Sequence, residues 1–178
     1  MSAIRLLVLG SVRNHRRAHG YQVRSDLESW GAHEWSTAKP GSIYHALKQL
    51  AKQGMLHAHE VAPSDAGGPP RVEYELTPAG EAEFLELLRD ALSRHDQKID
   101  LLTAGVGFID ALPRAEVIEL LRLRLHALEG WRAEVDKHWT GQQDWGAIGE
   151  VMRLWVHFSD SGAEWTRGLI ERLQASQV

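Results

Sequence analysis

Thr37-Ala38-Lys39-Pro40-Gly41-Ser42-Ile43-Tyr44-His45-Ala46-Leu47-Lys48-Gln49-Leu50 reads as a turn running into a short basic helix. Pro40 stands where a helix tolerates proline, near its first position. Ile43, Leu47 and Leu50 recur at spacings of four and three, the stripe that a helix buries. Lys39, Ser42, Tyr44, His45 and Lys48 fall on the outer side. Gly54 follows where a left-handed cap residue belongs. Such a helix suits the major groove of DNA. Its lysines neutralise phosphates, and its hydroxyl, phenol and imidazole groups reach phosphate oxygens or base edges. The plainer reading of the same face is solvated surface.

The flanking sequence extends this into a helix-turn-helix with a hairpin. Ile4, Leu6, Leu7, Leu9 and Val12 make a helical apolar run ending near Asn14, and Arg13-Asn14-His15-Arg16-Arg17 is a basic connector. His19-Gly20-Tyr21 opens a second helix, with Tyr21, Val23, Leu27 and Trp30 inward and Gly31 as its stop. Three short helices of this kind form a helix-turn-helix unit. Leu56 to Val61 and Arg71 to Leu76 alternate as strands do, and the Pro, Gly and Asp-rich residues 62–70 read as the hairpin tip. Arg71 at the hairpin base is placed for the minor groove or its flanking phosphates, and Arg16 or Arg17 for phosphates nearby. Thr77-Pro78 restarts a helix, with Thr as cap and Pro first. It runs to about Arg94, with Phe84, Leu87, Leu88 and Leu92 on one face.

The rear of the chain is helical. Residues 99–112 are apolar, loosened by Gly105 and Gly107. Pro113 restarts a long helix to about Trp139, striped by Val117, Leu121, Leu125, Leu128, Trp131 and Val135. Thr140-Gly141-Gln142-Gln143 is a turn. A last helix spans about Trp145 to Gln174, with Val151, Leu154, Trp155, Phe158, Trp165, Leu169 and Leu173 inward. Two helices alone cannot cover both stripes, so a second copy is expected there, with Gly162 and Gly168 permitting close approach. The expected division is residues 1–78 as a DNA-binding domain and 79–178 as a helical dimerisation and effector region.

Charge is distributed accordingly. The 178 residues carry a net charge of -4, yet residues 1–55 hold eight Lys/Arg against three acids, and residues 81–178 hold eleven against seventeen. A basic front and an acidic rear suggest that the front meets a polyanion. There is no cysteine, which excludes disulfides and thiol catalysis and fits a cytoplasmic protein. No apolar run is long enough to cross a membrane, and Met1 to Leu9 lacks a signal peptide's basic start and cleavage site.

His19-Gly20-Tyr21, Gly41-Ser42-Ile43-Tyr44-His45-Ala46-Leu47, Leu50, Gly54-Met55-Leu56 and Tyr74-Glu75-Leu76-Thr77-Pro78-Ala79-Gly80 occur in an order and spacing that resembles the PadR family of bacterial transcriptional regulators. The resemblance covers residues 1 to about 80. It implies a mainly α fold with a small β-hairpin wing: a winged helix-turn-helix followed by a C-terminal helical dimerisation region. It also implies a homodimer on double-stranded DNA, mostly a repressor, in some members responsive to a small aromatic or drug-like effector. The sequence departs from the family at Gln22, where an acid is common, at His45, where Pro is common, and in the stretched Gly67-Gly68-Pro69-Pro70-Arg71 run. No operator sequence follows from it beyond the palindrome that a dimer requires.

Seven tryptophans are many for this length, and five lie in the rear: Trp131, Trp139, Trp145, Trp155 and Trp165. They either pack as core or line an aromatic pocket that stacks a flat effector, with Trp131, Trp155 and Phe158 as its first candidates. Among ten histidines, His57-Ala58-His59 would place two imidazoles on one strand face, half of a zinc site without a second pair. A metal-responsive regulator is therefore one alternative, and a winged helix that binds protein another. No phosphate loop, nucleophile elbow or His-Glu-x-x-His occurs, so neither an enzyme nor a cofactor is expected.

Overall fold

The computed structural model describes residues 2–61, 71–139 and 145–175. The hairpin tip expected at 62–70 and the turn expected at 140–143 lie outside the described residues. The elements are α1 (Ala3–His15), β1 (Arg17–His19), α2 (Gly20–Ser29), α3 (Ala32–Trp35), α4 (Pro40–Lys52), β2 (Leu56–Val61), β3 (Arg71–Leu76), α5 (Pro78–Ser93), α6 (Ile99–Gly107), α7 (Arg114–His138) and α8 (Ala147–Ala175). No described helix is long and apolar enough to cross a membrane. The chain forms two compact units, residues 1–91 with 98–111, and residues 92–97 with 112–178.

The first unit is built on α1. Leu6, Leu7, Val8, Leu9 and Val12 are all buried there, because a near-continuous apolar run suits a helix packed on several sides. α2, α4 and α6 pack around it. At Gly10 the helix has no side chain, and the Phe108 ring fills the space a Cβ would take. Phe108 meets Trp30 and Phe84 edge-on, with ring centroids 5.6 and 5.5 Å apart, the favoured aromatic geometry.

The sheet is antiparallel in the order β1-β3-β2, with Arg17 opposite Glu75, His19 opposite Glu73, and Leu56 opposite Leu76. β1 begins at Arg17, the last residue of the stretch that reads as a basic connector. Arg16 takes a positive φ of 63°, rare for a side-chain-bearing residue, and turns the chain off α1 into the strand.

Of the residues expected inward on α2, Tyr21 faces out and Trp30 is only partly covered, by Phe108. Tyr21 is 56% exposed and Trp30 is 39% exposed. Val23 and Leu27 already fill the inner face of this ten-residue helix. Tyr21 lies two positions before Val23, about 200° around the helix, and Trp30 lies past the helix end. The apolar stretch after α5 is more regular than expected, forming α6 and a short 3-10 turn, Ile109–Ala111.

The joint between hairpin and α5 is tight. The Thr77 hydroxyl donates to the Gly54 carbonyl at 2.7 Å and accepts from the Gly80 N–H at 3.0 Å. The Met55 carbonyl accepts from the Thr77 N–H at 3.0 Å and occupies the space a Cβ on Gly80 would need. Arg5 pairs with Glu83 at 2.6 Å, and Arg13 with Glu81 at 2.9 Å, joining α1 to α5.

In the second unit α7 and α8 pack on each other. The ion pairs Arg132–Asp160 (3.1 Å) and Glu129–Arg167 (3.0 Å) fix an antiparallel register. On α7 the buried positions are Val117, Ile118, Leu121, Arg124 and Leu128, and Leu125, expected inward, is half-buried beside the buried Arg124. Its guanidinium donates to the Arg94 carbonyl, and burial holds its pKa below the usual arginine range. On α8 five of the seven residues expected inward, Val151, Leu154, Trp155, Phe158 and Trp165, are exposed, while Leu169 and Leu173 are half-buried. The covered side of α8, which packs on α7, carries Gly149, Met152, Val156, Ser159, Ala163, Thr166 and Ile170. A Cβ at Gly162 would make only ordinary contact with Leu128, at 3.7 Å, so close approach there does not require glycine.

Candidate nucleic-acid interface

α4 is the candidate reading element, and its start is built from its own sequence. Lys39 is the N-cap in extended backbone and Pro40 the first helical residue. The Lys39 N–H donates to Ser42 Oγ at 2.9 Å, and that hydroxyl has the Thr37 and Lys39 carbonyls as acceptors, each at 2.8 Å. Ser42 is thus a capping residue, half-buried, with its proton committed to backbone. Ile43, Leu47 and Leu50 are fully buried as the stripe requires.

Lys39, His45 and Lys48 are exposed on the outer face. Among the described residues neither lysine has a carboxylate partner. Tyr44 is partly exposed and leans its ring over Gly20 at the start of α2. Arg16 is exposed beside β1. Arg17 on β1 pairs with Glu75 at 3.1 Å, so its charge is shared with a carboxylate. The backbone of Arg71 pairs with Val61, and its side chain lies outside what is described.

The open side of the sheet carries a group that the sequence shows only in part. His59 bonds Glu75 at 2.8 Å, and His19 bonds Glu73 at 3.2 Å. The Glu75 carboxyl is held below the ordinary carboxylate range, first by the His59 bond and then by Arg17. The His57 and His59 rings lie 6.1 Å apart, but no group of three or more ligand-type residues is gathered for a metal among the described residues. Cross-strand neighbours of this kind depend on register, which spacing along one strand does not reveal.

In the second unit the Trp131 and Trp155 rings lie 6.4 Å apart, tilted by 34°. Phe158 is exposed further along α8, beside His157. An open groove on α8 lies elsewhere, around Trp165, lined also by Ser161, Glu164, Arg167, Gly168 and Arg172. The structure therefore brings two of the three candidate aromatics together without enclosing them.

The sequence model of the transcriptional regulator PadR-like family matches residues 8–86. Among curated proteins, none matches the chain. Solved structures similar to it include Bacillus subtilis PadR in complex with operator DNA, at 19% identity over 95% of this chain and 98% of that one, with a TM-score of 0.43. The PadR-like transcriptional regulator from Bacillus cereus aligns at 18% identity over 98% and 99%, with a TM-score of 0.41. Bacillus subtilis PadR in complex with p-coumaric acid aligns at 20% identity over 97% and 99%, with a TM-score of 0.39. Residues 8–86, the stretch that holds the helix-turn-helix, the hairpin and the start of α5, thus match the PadR-like family of transcriptional regulators.

Proposed function

We propose that this protein binds operator DNA in a sequence-specific manner as a homodimer, and that it acts as a repressor relieved by a small aromatic or drug-like effector. The observation that carries the DNA reading is the outer face of α4. Lys39, His45 and Lys48 stand exposed there, neither lysine neutralised by a carboxylate among the described residues, on a helix anchored by three fully buried side chains. Unpaired lysines repel each other in a free protein and gain most when phosphates displace their counterions. Tyr44, His45 and the ends of the lysines supply contacts to groove edges, Ser42 holds the helix start, and Arg71, Arg16 and Arg17 serve the flanking backbone.

The dimer reading is supported by α8. Ile148, Val151, Leu154, Trp155 and Phe158 are exposed along one stretch of helix, more contiguous apolar surface than a solitary chain leaves in water. A second copy covers it by a self-complementary contact. In this reading residues 1–78 bind DNA and 79–178 dimerise and receive the effector, with Trp131, Trp155 and Phe158 as its stacking surface. The Bacillus subtilis protein is named in complexes with operator DNA and with p-coumaric acid, a ligand class of the kind proposed.

Selection of bound sites from random duplexes, followed by footprinting across a salt series, tests this function. A palindromic consensus and a steep loss of affinity with salt are expected. A random selected pool, or affinity indifferent to salt, would remove it.

A further inference from the structure

α2 presents a second set of DNA-type side chains that the recognition helix does not account for. Tyr21 and Arg24 are three residues apart, and so share one face of α2. Both are exposed. The Tyr21 ring stacks on His19, with centroids 5.6 Å apart and planes 14° from parallel. His19 is itself tied to Glu73 of the sheet at 3.2 Å. Tyr21 is therefore held in place although its ring lies largely in water. Tyr44 of α4 comes over Gly20, immediately beside Tyr21 in sequence. Tyr21 and Arg24 thus share an exposed face of α2, and Tyr44 of α4 lies over the first residue of that helix.

The chemistry of this group favours a phosphodiester. Tyrosine hydroxyls and arginine guanidinium groups are common donors to phosphate oxygens, and the charge-assisted bond is the stronger. In helix-turn-helix docking the recognition helix enters the major groove while the preceding helix crosses the backbone. A ring already ordered by stacking loses little freedom when it binds. One acid moderates the group: Glu28, one turn further on, holds Arg24 at 2.6 Å.

We propose that Tyr21 and Arg24 of α2, together with Tyr44 of α4, form a backbone anchor that grips a DNA phosphate beside the groove that α4 enters. This rests on the DNA-binding reading above. The anchor fixes the register of the protein on the duplex and carries no sequence preference. Glu28 sets its strength by competing with the phosphate for Arg24.

Anisotropy titrations at several salt concentrations test it, using a selected operator duplex and a scrambled duplex of equal length. Tyr21→Phe keeps the ring and its stack and removes only the hydroxyl. It is expected to weaken binding to both duplexes by about tenfold. Arg24→Gln is expected to weaken both and to reduce the salt slope by about one. Glu28→Gln, which frees Arg24, is expected to strengthen both. Wild-type affinity and slope in Tyr21→Phe and Arg24→Gln, or losses confined to the selected duplex, would overturn the anchor. If the wild-type protein holds the selected duplex while the variants match it, only the anchor fails. If the wild type holds neither duplex at low salt, the DNA-binding reading fails and takes the anchor with it.

Discussion

The Tyr44 ring fills the space that a side chain at Gly20 would need: a Cβ there would lie 2.6 Å from Cε1 and 3.1 Å from Cδ1. The recognition helix is thereby seated against the first turn of α2, and glycine is required for closeness and not for a left-handed backbone. Gly20→Ala should push the ring aside at a cost of about 1–3 kcal/mol. Because Tyr44 is already partly exposed, the fold should survive and DNA affinity should fall. Urea denaturation of Gly20→Ala, Tyr44→Ala and the double variant checks this. The two costs should couple by at least about 0.5 kcal/mol, and strictly additive costs would show that methyl and ring do not meet.

Ser42 and Lys48 share the outer side of α4 but should fail differently. Ser42 Oγ is bonded to the helix start, so Ser42→Ala should lower stability by about 1 kcal/mol, as loss of a cap does, and leave the salt slope of DNA binding unchanged. Lys48 is exposed and has no carboxylate partner among the described residues, so Lys48→Ala should leave stability within about 0.5 kcal/mol and reduce the slope by about one. Paired thermal melts and salt-dependent titrations separate the two. A slope change in Ser42→Ala would return its hydroxyl to the phosphates.

These contrasts also mark what sequence patterns carry. The α4 stripe, the Gly54 cap at φ 76°, the strands at 56–61 and 71–76 and the Thr77 cap were all readable, because each depends on neighbours a few residues away. β1 was not, since three residues hold no period and its pairing with β3 spans nearly sixty positions. The α8 stripe was correctly seen as apolar and, from Val151 to Trp165, wrongly aimed. Periodicity says that a helix has an apolar face, and not whether its own chain or another covers that face. Ser42 and Tyr44 look like free groove-facing donors in sequence, and only their partners, backbone carbonyls and Gly20, show that each also has a structural task.

Glu75 offers a pH test at the root of the wing. Its folded-state pKa lies below the ordinary value, through His59 first and Arg17 second. A depressed carboxylate pKa stabilises the fold above the ordinary carboxylate range, and that stabilisation fades as pH falls through and below that range. The wild type should therefore exceed Glu75→Gln in stability near neutral pH, and the gap should close on acidification. Urea midpoints at a series of pH values measure it. A gap that stayed constant into acid would mean that Glu75 acts by shape and not by charge. The Glu75 side chain is 37% exposed, so the effect should be modest.

The exposed face of α8 makes the strongest demand on the oligomeric state. Phe158 is 67% exposed and Trp155 is 59% exposed, while the neighbouring seam residues Val156 and Ser159 face α7. A charge at position 158 thus leaves the α7–α8 pairing alone and strikes only what lies beyond it. Phe158→Asp should convert a dimer into monomers in sedimentation equilibrium, with helicity retained. Ser159→Asp, one residue along, should instead bury a charge between the helices and melt the pair. Loss of the dimer removes the linkage of two half-site contacts about 34 Å apart, so operator affinity should fall by about a hundredfold or more. A Phe158→Asp protein that sedimented at twice the chain mass and bound operator as before would show that this stripe is not where two copies meet.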